Sequence, residues 1–241
     1  MRSSFVRKLN YLKFLVKKPL KINDDYLNWL RFANAGMLER GNLYCFDYAF
    51  KNLPTNSPVF EIGSFCGLST NIMSYLLKKY NKNNKIITSD KWQFEVDDKN
   101  KNTLGESNMT LEEYQIFVKE TFIRNVNFFS KDNIPFPIEV YSDEFFELWD
   151  KEETVKDIFG REIKLGGKMS FAFIDGNHTY EFAKRDFENV AKHLDIGGFV
   201  FFDDSSDFSY FGCADVMKDI LNNPDFNLVI KNPNYLFQKI K

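Results

Sequence analysis

Cysteine is scarce: Cys45, Cys66 and Cys213 are the three thiols in a chain of 241 residues. An odd number at wide spacing makes neither a disulfide framework nor a metal-ligand pattern, so a reducing cytoplasm is the expected setting. Long apolar runs are absent, which excludes a membrane-spanning helix. The start of the chain lacks the uninterrupted apolar core and small-residue cleavage site of a secretory signal. No excess of one charge occurs either. A formal net charge of −2 carries no nucleic-acid signature. Internal repeats and low-complexity tracts are missing as well.

What is present suits a globular core: 44% of residues are hydrophobic, and the length fits one α/β domain with additions. Residues 1–54 read as an N-terminal helical extension. Residues 55–241 read as the main domain, with insertions at about 93–133 and 150–169. The first 21 residues are basic (Arg2, Arg7, Lys8, Lys13, Lys17, Lys18, Lys21), while Phe5, Leu9, Leu12, Leu15 and Val16 recur at helical spacing. Packing on its own domain, or on a second copy in a homo-oligomer, is the favoured reading. A helix lying on an anionic membrane surface is the other.

One segment carries the most information: Val59-Phe60-Glu61-Ile62-Gly63-Ser64-Phe65-Cys66-Gly67-Leu68-Ser69-Thr70. A short apolar strand ends in a carboxylate, turns at a glycine and enters a helical pattern over 70–80. Gly63 permits a backbone conformation that other residues resist, and Gly67 permits close approach of helix, strand and ligand. The third glycine of G-x-G-x-x-G is missing, and Glu61 would repel a pyrophosphate. A positively charged ligand such as S-adenosylmethionine (SAM), with its ammonium and sulfonium, would be attracted instead.

Helices are expected at 26–38 and 43–53 before this strand, with Asn42 as N-cap of the second. Further strands are expected at 85–89, 138–142, 170–174, 199–202, 226–230 and 235–240. Helices are expected at 110–125, 143–149, 181–194 and 213–221. Thr110 and Glu113 form a capping box, and Gly197-Gly198 ends the helix before the fifth strand. Residues 154–169 read as a β-hairpin insertion around Phe159-Gly160-Arg161. Alternating strands and helices make a Rossmann-like, doubly wound, seven-stranded α/β sheet. It is mostly parallel, with helices on both faces and an antiparallel C-terminal strand. Ligands belong at the carboxyl ends of its strands, near the topological switch point.

Polar groups collect at those strand ends. Glu61, Gly63, Ser64, Phe65, Gly67 and Ser69 surround the first. Asp90, after the second, suits ribose hydroxyls, or else caps a turn. Trp92 would stack on adenine or pack under the insertion. Ser142 would sit beside the adenine. Asp175 and His178 follow the fourth strand, and Asp203-Asp204 the fifth. Three carboxylates at close range repel, so a divalent cation, protonation or backbone donors must offset them. All-oxygen ligands suit Mg²⁺, Mn²⁺ or Ca²⁺ rather than Zn²⁺. More ordinary roles are that Asp175 caps its turn, that Asp203 and Asp204 bind backbone amides, and that His178 holds the Asp175 loop. His193 reads as a dipole partner at a helix C-terminus, and Cys66 as a small packing residue.

The glycine segment resembles the E/D-x-G-x-x-x-G motif of class I SAM-dependent methyltransferases. Residues 175–204, with Asp186 and Gly197-Gly198 between, resemble the subgroup of macrocin O-methyltransferases and cephalosporin-hydroxylase-like proteins. The likeness covers residues 55–240 loosely and these motifs closely. It implies SAM as cofactor, held by the loop, Asp90, Trp92, Ser142 and Asp175. It implies Mg²⁺ (or Mn²⁺) on Asp175, Asp203 and Asp204, and His178 as base, with Asp175 beside it in catalysis. The metal would lower the pKa of a substrate hydroxyl, and a histidine takes up protons near neutral pH. The expected activity is therefore metal-assisted O-methylation of a small-molecule or sugar hydroxyl. A non-catalytic scaffold and a metal-dependent hydrolase are the alternatives. Residues 93–133, 154–169 and 205–212 should line the acceptor pocket through Phe94, Phe128, Phe129, Tyr210 and Phe211, and 37–42 should fold over the cofactor. Nucleic acid is disfavoured as substrate: Asn232-Pro233-Asn234-Tyr235 lies in the final hairpin turn, away from strand four.

Overall fold

A computed structural model of the chain describes residues 19–94, 107–207 and 209–241. The basic helix expected at the start lies almost wholly outside the described residues, as do residues 95–106 of the first insertion. In chain order the elements are α1 (Asp25–Ala33), α2 (Asn42–Lys51), β1 (Val59–Ile62), α3 (Leu68–Lys79), β2 (Ile86–Ser89) and α4 (Leu111–Phe129). Then come β3 (Phe136–Ile138), α5 (Ser142–Asp150), β4 (Thr154–Lys156), β5 (Glu162–Lys164), β6 (Met169–Ile174) and α6 (Tyr180–His193). The chain closes with β7 (Leu194–Phe202), α7 (Cys213–Leu221), β8 (Phe226–Lys231) and β9 (Tyr235–Lys239). Among the described residues no helix is long and apolar enough to cross a membrane.

Seven strands form one sheet in the order β3-β2-β1-β6-β7-β9-β8. The pairs β1–β2, β1–β6, β2–β3 and β6–β7 are parallel. The last strand, β9, inserts antiparallel between β7 and β8. The chain runs outward from β1 to β3 and then returns to the other side of β1 as β6. That reversal opens a crevice at the carboxyl ends of β1 and β6, where ligands bind in open α/β sheets.

Successive residues of a strand face opposite sides of a sheet, so each strand feeds two cores. Phe60, Ala172, Val200 and Phe202 face helices α5, α6 and α7, with Phe145, Trp149, Phe187 and Ile220 beneath them. Val59, Phe171, Phe173, Phe199 and Phe201 face α1, α2 and α3. The Phe46 ring on α2 lies 4.9 Å from Phe173 and 5.1 Å from Phe201. Fully burying one such side chain is worth about 1.5–3 kcal/mol, so the N-terminal extension is bonded to the sheet by its own core. The central strands are buried on both faces, which is why they read as continuous apolar runs.

Several element bounds differ from expectation. The helix α1 stops at Ala33 because Asn34 turns its side chain to the carbonyls of Ala35 and Cys66. Gly41, not Asn42, caps α2. The edge strand β3 lies earlier than expected and tolerates Pro137, which has no N–H to lose there. Ser142 consequently becomes the first residue of α5. Gly197 and Gly198 do not end α6 but lie within β7, where residues 195–198 bulge out opposite Ser170. The capping box of α4 forms as expected, with Glu113 N–H donating to Thr110 Oγ1 at 3.2 Å and Thr110 N–H to Glu113 Oε2 at 2.8 Å.

Candidate active site

The glycine loop after β1 is shaped by two left-handed glycines. Gly63 has φ +81°, and a Cβ there would lie 2.0 Å from the carbonyl oxygen of Asp175. Gly67, at φ +85°, starts α3, and a Cβ there would press on Phe122 and Val126 of α4. The close approach is therefore to the insertion helix. Between them Phe65 also takes a positive φ, as do Trp92 after β2 and Asp204 after β7. Non-glycine residues are rarely held this way, and such outliers cluster where a site over-determines the backbone.

Asp90 organises this loop. Its Oδ2 accepts from the N–H of Ser64 at 2.7 Å and of Phe65 at 2.9 Å, and its Oδ1 from Trp92 N–H at 2.6 Å. A carboxylate has about four acceptor positions, so these bonds leave roughly one for a ribose hydroxyl. The turn-capping reading of Asp90 is thus realised in the structure. Burial pushes its carboxyl up, against the pull of those three donors.

Trp92 corrects its expectation. Its indole is buried, donates from Nε1 to Phe65 O at 3.0 Å, and lies 5.1 Å from the Phe122 ring. A ring closed in by α4 has no free face for adenine, so the packing reading holds.

Glu61 lies beneath the loop rather than in its opening, with no exposed surface. Thr70 Oγ1 donates to its Oε2 at 2.5 Å. Burial pushes its carboxyl up to about 7, while the hydroxyls of Ser69, Thr70 and Ser64 pull the other way. Ser64 and Ser69 are themselves buried beside it. The neighbouring Cys66 carbonyl accepts amide donors from Asn34 at 3.1 Å and Asn125 at 2.8 Å, tying the loop to the extension and to α4.

Across the crevice lies the acidic corner. His178 stands between two carboxylates, Nε2 3.4 Å from Asp175 Oδ1 and Nδ1 3.2 Å from Asp204 Oδ2. The Phe211 ring meets it edge-on at 4.9 Å. Burial, with the charges of Asp204, Glu61 and Asp90, holds the Asp175 carboxyl well above its usual range. Burial, with Asp175 and Asp204, pushes the Asp203 carboxyl up to about 8.

Asp203 has partners that local reading missed. Its Oδ1 accepts from Asn42 Nδ2 at 2.7 Å and Asn234 Nδ2 at 2.5 Å. Asn42 is thus a site residue rather than a cap. The turn holding Asn234 is at the site too, because antiparallel β9 begins where β7 ends. The expectation of an antiparallel last strand was the signal that could have placed it there.

The expected metal set of Asp175, Asp203 and Asp204 comes together at the ends of β6 and β7, but as a hydrogen-bonded cluster. Among the described residues no group of three histidine, cysteine or carboxylate side chains is placed to hold a metal ion. Asp203 spends an oxygen on two amide donors, and Asp175 and Asp204 turn toward His178. Asp203 Oδ1 is thereby closed to a cation by two N–H donors.

Ser142 sits at the start of α5, with its hydroxyl on the buried carboxyl of Asp186, which burial raises to about 6. A Cβ on Gly176 would lie 3.5 Å from that carboxyl, so Asp186 is buried next to the turn after β6. His193 ends α6 and pairs with Asp150 at 2.9 Å, in keeping with its expected place.

The residues proposed for the acceptor side separate. Phe211 stays beside His178, and Tyr210 is fully exposed. Phe94 is half-buried against Phe65 and Tyr114. Phe128 and Phe129 instead line a groove of about 890 Å³ with Trp29, Lys78 and Asn84. That groove lies at the amino end of β2, away from the crevice, so these two rings are removed from the acceptor pocket. The β4–β5 hairpin bonds to the β3 edge, with Ile158 N–H donating to Pro137 O at 3.0 Å.

A family model described as a methyltransferase domain matches residues 60–205. Solved structures share the fold. The O-methyltransferase TomG from Streptomyces achromogenes, involved in tomaymycin synthesis and in complex with SAM, aligns at TM-score 0.55 and 11% identity, covering 100% of each chain. An O-methyltransferase from Bacillus cereus in complex with SAH aligns at TM-score 0.53 and 13% identity, covering 97% of each chain. CalS11, described as a TDP-rhamnose 3'-O-methyltransferase in calicheamicin biosynthesis, aligns at 0.54 and 16%, covering 98% of this chain and 93% of that one. At these identities the likeness is one of fold. Comparison with curated proteins finds no match.

Proposed function

The chain belongs to the methyltransferase-domain family, and from that premise we propose that it moves the methyl group of SAM to the oxygen of a small-molecule or sugar hydroxyl, with His178 taking the proton. One observation carries the reading: His178 stands between Asp175 and Asp204 at the crevice mouth, across from the glycine loop.

The residues that would hold SAM fit it. Gly63 has no room for a side chain, Glu61 sets a buried carboxyl beneath the loop whose charge a cationic ligand above it would favour, and Asp90 keeps about one acceptor for ribose. Ser142, whose hydroxyl is taken by Asp186, would meet the adenine only through its backbone. When bound, SAM supplies an electrophilic methyl on sulfonium. The protein's share is orientation and proton removal. His178 Nε2 hydrogen-bonds with Asp175 Oδ1 at 3.4 Å and Nδ1 lies 3.2 Å from Asp204 Oδ2, so carboxylates hold the ring on both sides and the hydroxyl proton goes to one of its two nitrogens. The imidazolium so formed lies between two carboxylates, which stabilise it.

A sugar acceptor is consistent with the described activity of CalS11. Phe211, beside His178, offers an apolar face to a sugar or ring. Metal assistance is left out of this reading, which relies on the protein's own donors to Asp203. A cytoplasmic setting accords with three free, buried thiols.

Calorimetric titration with SAM, with Mg²⁺ and with EDTA, tests the cofactor. Saturable one-site binding is expected in each condition. A screen of hydroxyl acceptors with methyl-labelled SAM then tests the transfer. Absence of SAM binding in every condition would sink the reading.

A further inference from the structure

We propose that Asn42 and Asn234 are positioning residues of this site, and that their amides do for Asp203 what a divalent cation would otherwise have to do. The inference rests on the methyl-transfer reading above and departs from the metal expectation.

Asp203 is 5% exposed and sits with Asp175 and Asp204 at the ends of β6 and β7. A buried carboxylate among carboxylates needs donors or a cation. Here it has donors. Asn42 and Asn234 reach Asp203 Oδ1 at 2.7 Å and 2.5 Å, and both are buried.

The orientation of both amides follows from their other bonds. Asn234 Oδ1 accepts from Ser205 N–H at 3.0 Å, so its NH₂ must face Asp203 and Asn42. Asn42 Oδ1 accepts from Asn234 Nδ2 at 3.2 Å, so its own NH₂ must face Asp203. Reversing either amide would set a carbonyl oxygen against a carboxylate. A cation at Asp203 Oδ1 would meet amide hydrogens, not lone pairs.

The N-terminal extension delivers Asn42 to this place. Asn232 Nδ2 donates to Leu20 O at 2.8 Å and Gly41 O at 3.1 Å, and Leu20 N–H donates to Asn232 Oδ1 at 3.0 Å. A Cβ on Gly41 would lie 1.8 Å from Asn232 O, so only glycine allows the approach. Fixing Asp203 fixes the next residue, Asp204, whose positive φ aims its carboxylate at His178 Nδ1. The extension therefore acts on the proton acceptor through two amides and two carboxylates.

The test uses the full chain, titrated with MnCl₂ by calorimetry and electron paramagnetic resonance, with SAM affinity measured on the same samples. Wild type and Asp203→Asn should give the same Mn²⁺ response. One-equivalent Mn²⁺ binding that Asp203→Asn abolishes would overturn the proposal. Asn42→Asp and Asn234→Asp exchange a donor for a carboxylate and should each gain Mn²⁺ affinity by roughly tenfold or more. A variant that unfolds alone should refold with Mn²⁺. No gain in either would equally overturn it. Asn42→Ala should move the imidazole NMR resonance of His178 and leave that of His193, which pairs with Asp150, unchanged; an unmoved His178 signal would defeat the positioning role. Failure of SAM to bind would sink the function, and the Mn²⁺ response would still judge this inference by itself.

Discussion

Gly63 lies so close to Asp175 that a Cβ would come within 2.0 Å of the Asp175 carbonyl oxygen. The contact joins the glycine loop after β1 to the turn after β6, the two sides of the crevice. Gly63→Ala must both enter a left-handed conformation and displace backbone. It should lose roughly 2 kcal/mol or more of stability and most SAM affinity. Thermal melting and calorimetry read both. A variant with wild-type melting and binding would remove the contact from the site.

Asp90→Ala leaves the N–H groups of Ser64, Phe65 and Trp92 without their acceptor. Bonds to a charged group are worth roughly 1.5–3 kcal/mol each, so the ligand-free protein should melt roughly ten degrees or more lower and SAM affinity should fall at least tenfold. Lower affinity with unchanged melting would restore ribose binding as the residue's main role. Unchanged affinity would remove Asp90 from the cofactor site altogether.

His178→Gln keeps a polar side chain but no proton acceptor of matching strength. Transfer to a hydroxyl acceptor should slow by about 10²–10⁴-fold, with SAM affinity unchanged. Single-turnover rates with labelled SAM measure the first, and calorimetry the second. A variant as fast as wild type would exclude His178 as base.

Glu61 predicts a pH effect. Burial pushes its carboxyl up to about 7 from an ordinary value of 4.5, so between those values the folded state holds a proton that the unfolded chain has lost. Stability from this group is complete below pH 4.5 and is lost as pH rises through 7. Glu61→Gln should therefore melt higher than wild type at pH 8 and close to it at pH 4, a difference of about 3 kcal/mol between the two. A cationic ligand favours the ionised form, so wild-type SAM affinity should rise with pH across neutrality, and the variant's should not. Parallel melting curves at both pH values would show that the carboxyl is not desolvated.

The parts of this protein legible in its sequence are those set by neighbours along the chain. Apolar runs of strand length, the glycine turn after Glu61, the Thr110–Glu113 capping box and the acidic ends of β6 and β7 each arise from backbone geometry within a few residues. The sheet and the place of the crevice follow from them. Partners of the site's side chains do not. Asp203 finds Asn42 across 161 residues, and Asn234 across 31. Trp92 gives its indole to a small core made with α4, and Phe129 turns to the groove beside Trp29. A lone asparagine or tryptophan carries no periodicity, and its donors suit many acceptors equally. Only packing the extension, the insertion helix and the last strand around the crevice decides which carboxylate each amide meets, and so whether the acidic corner is held by a metal or by the protein's own donors.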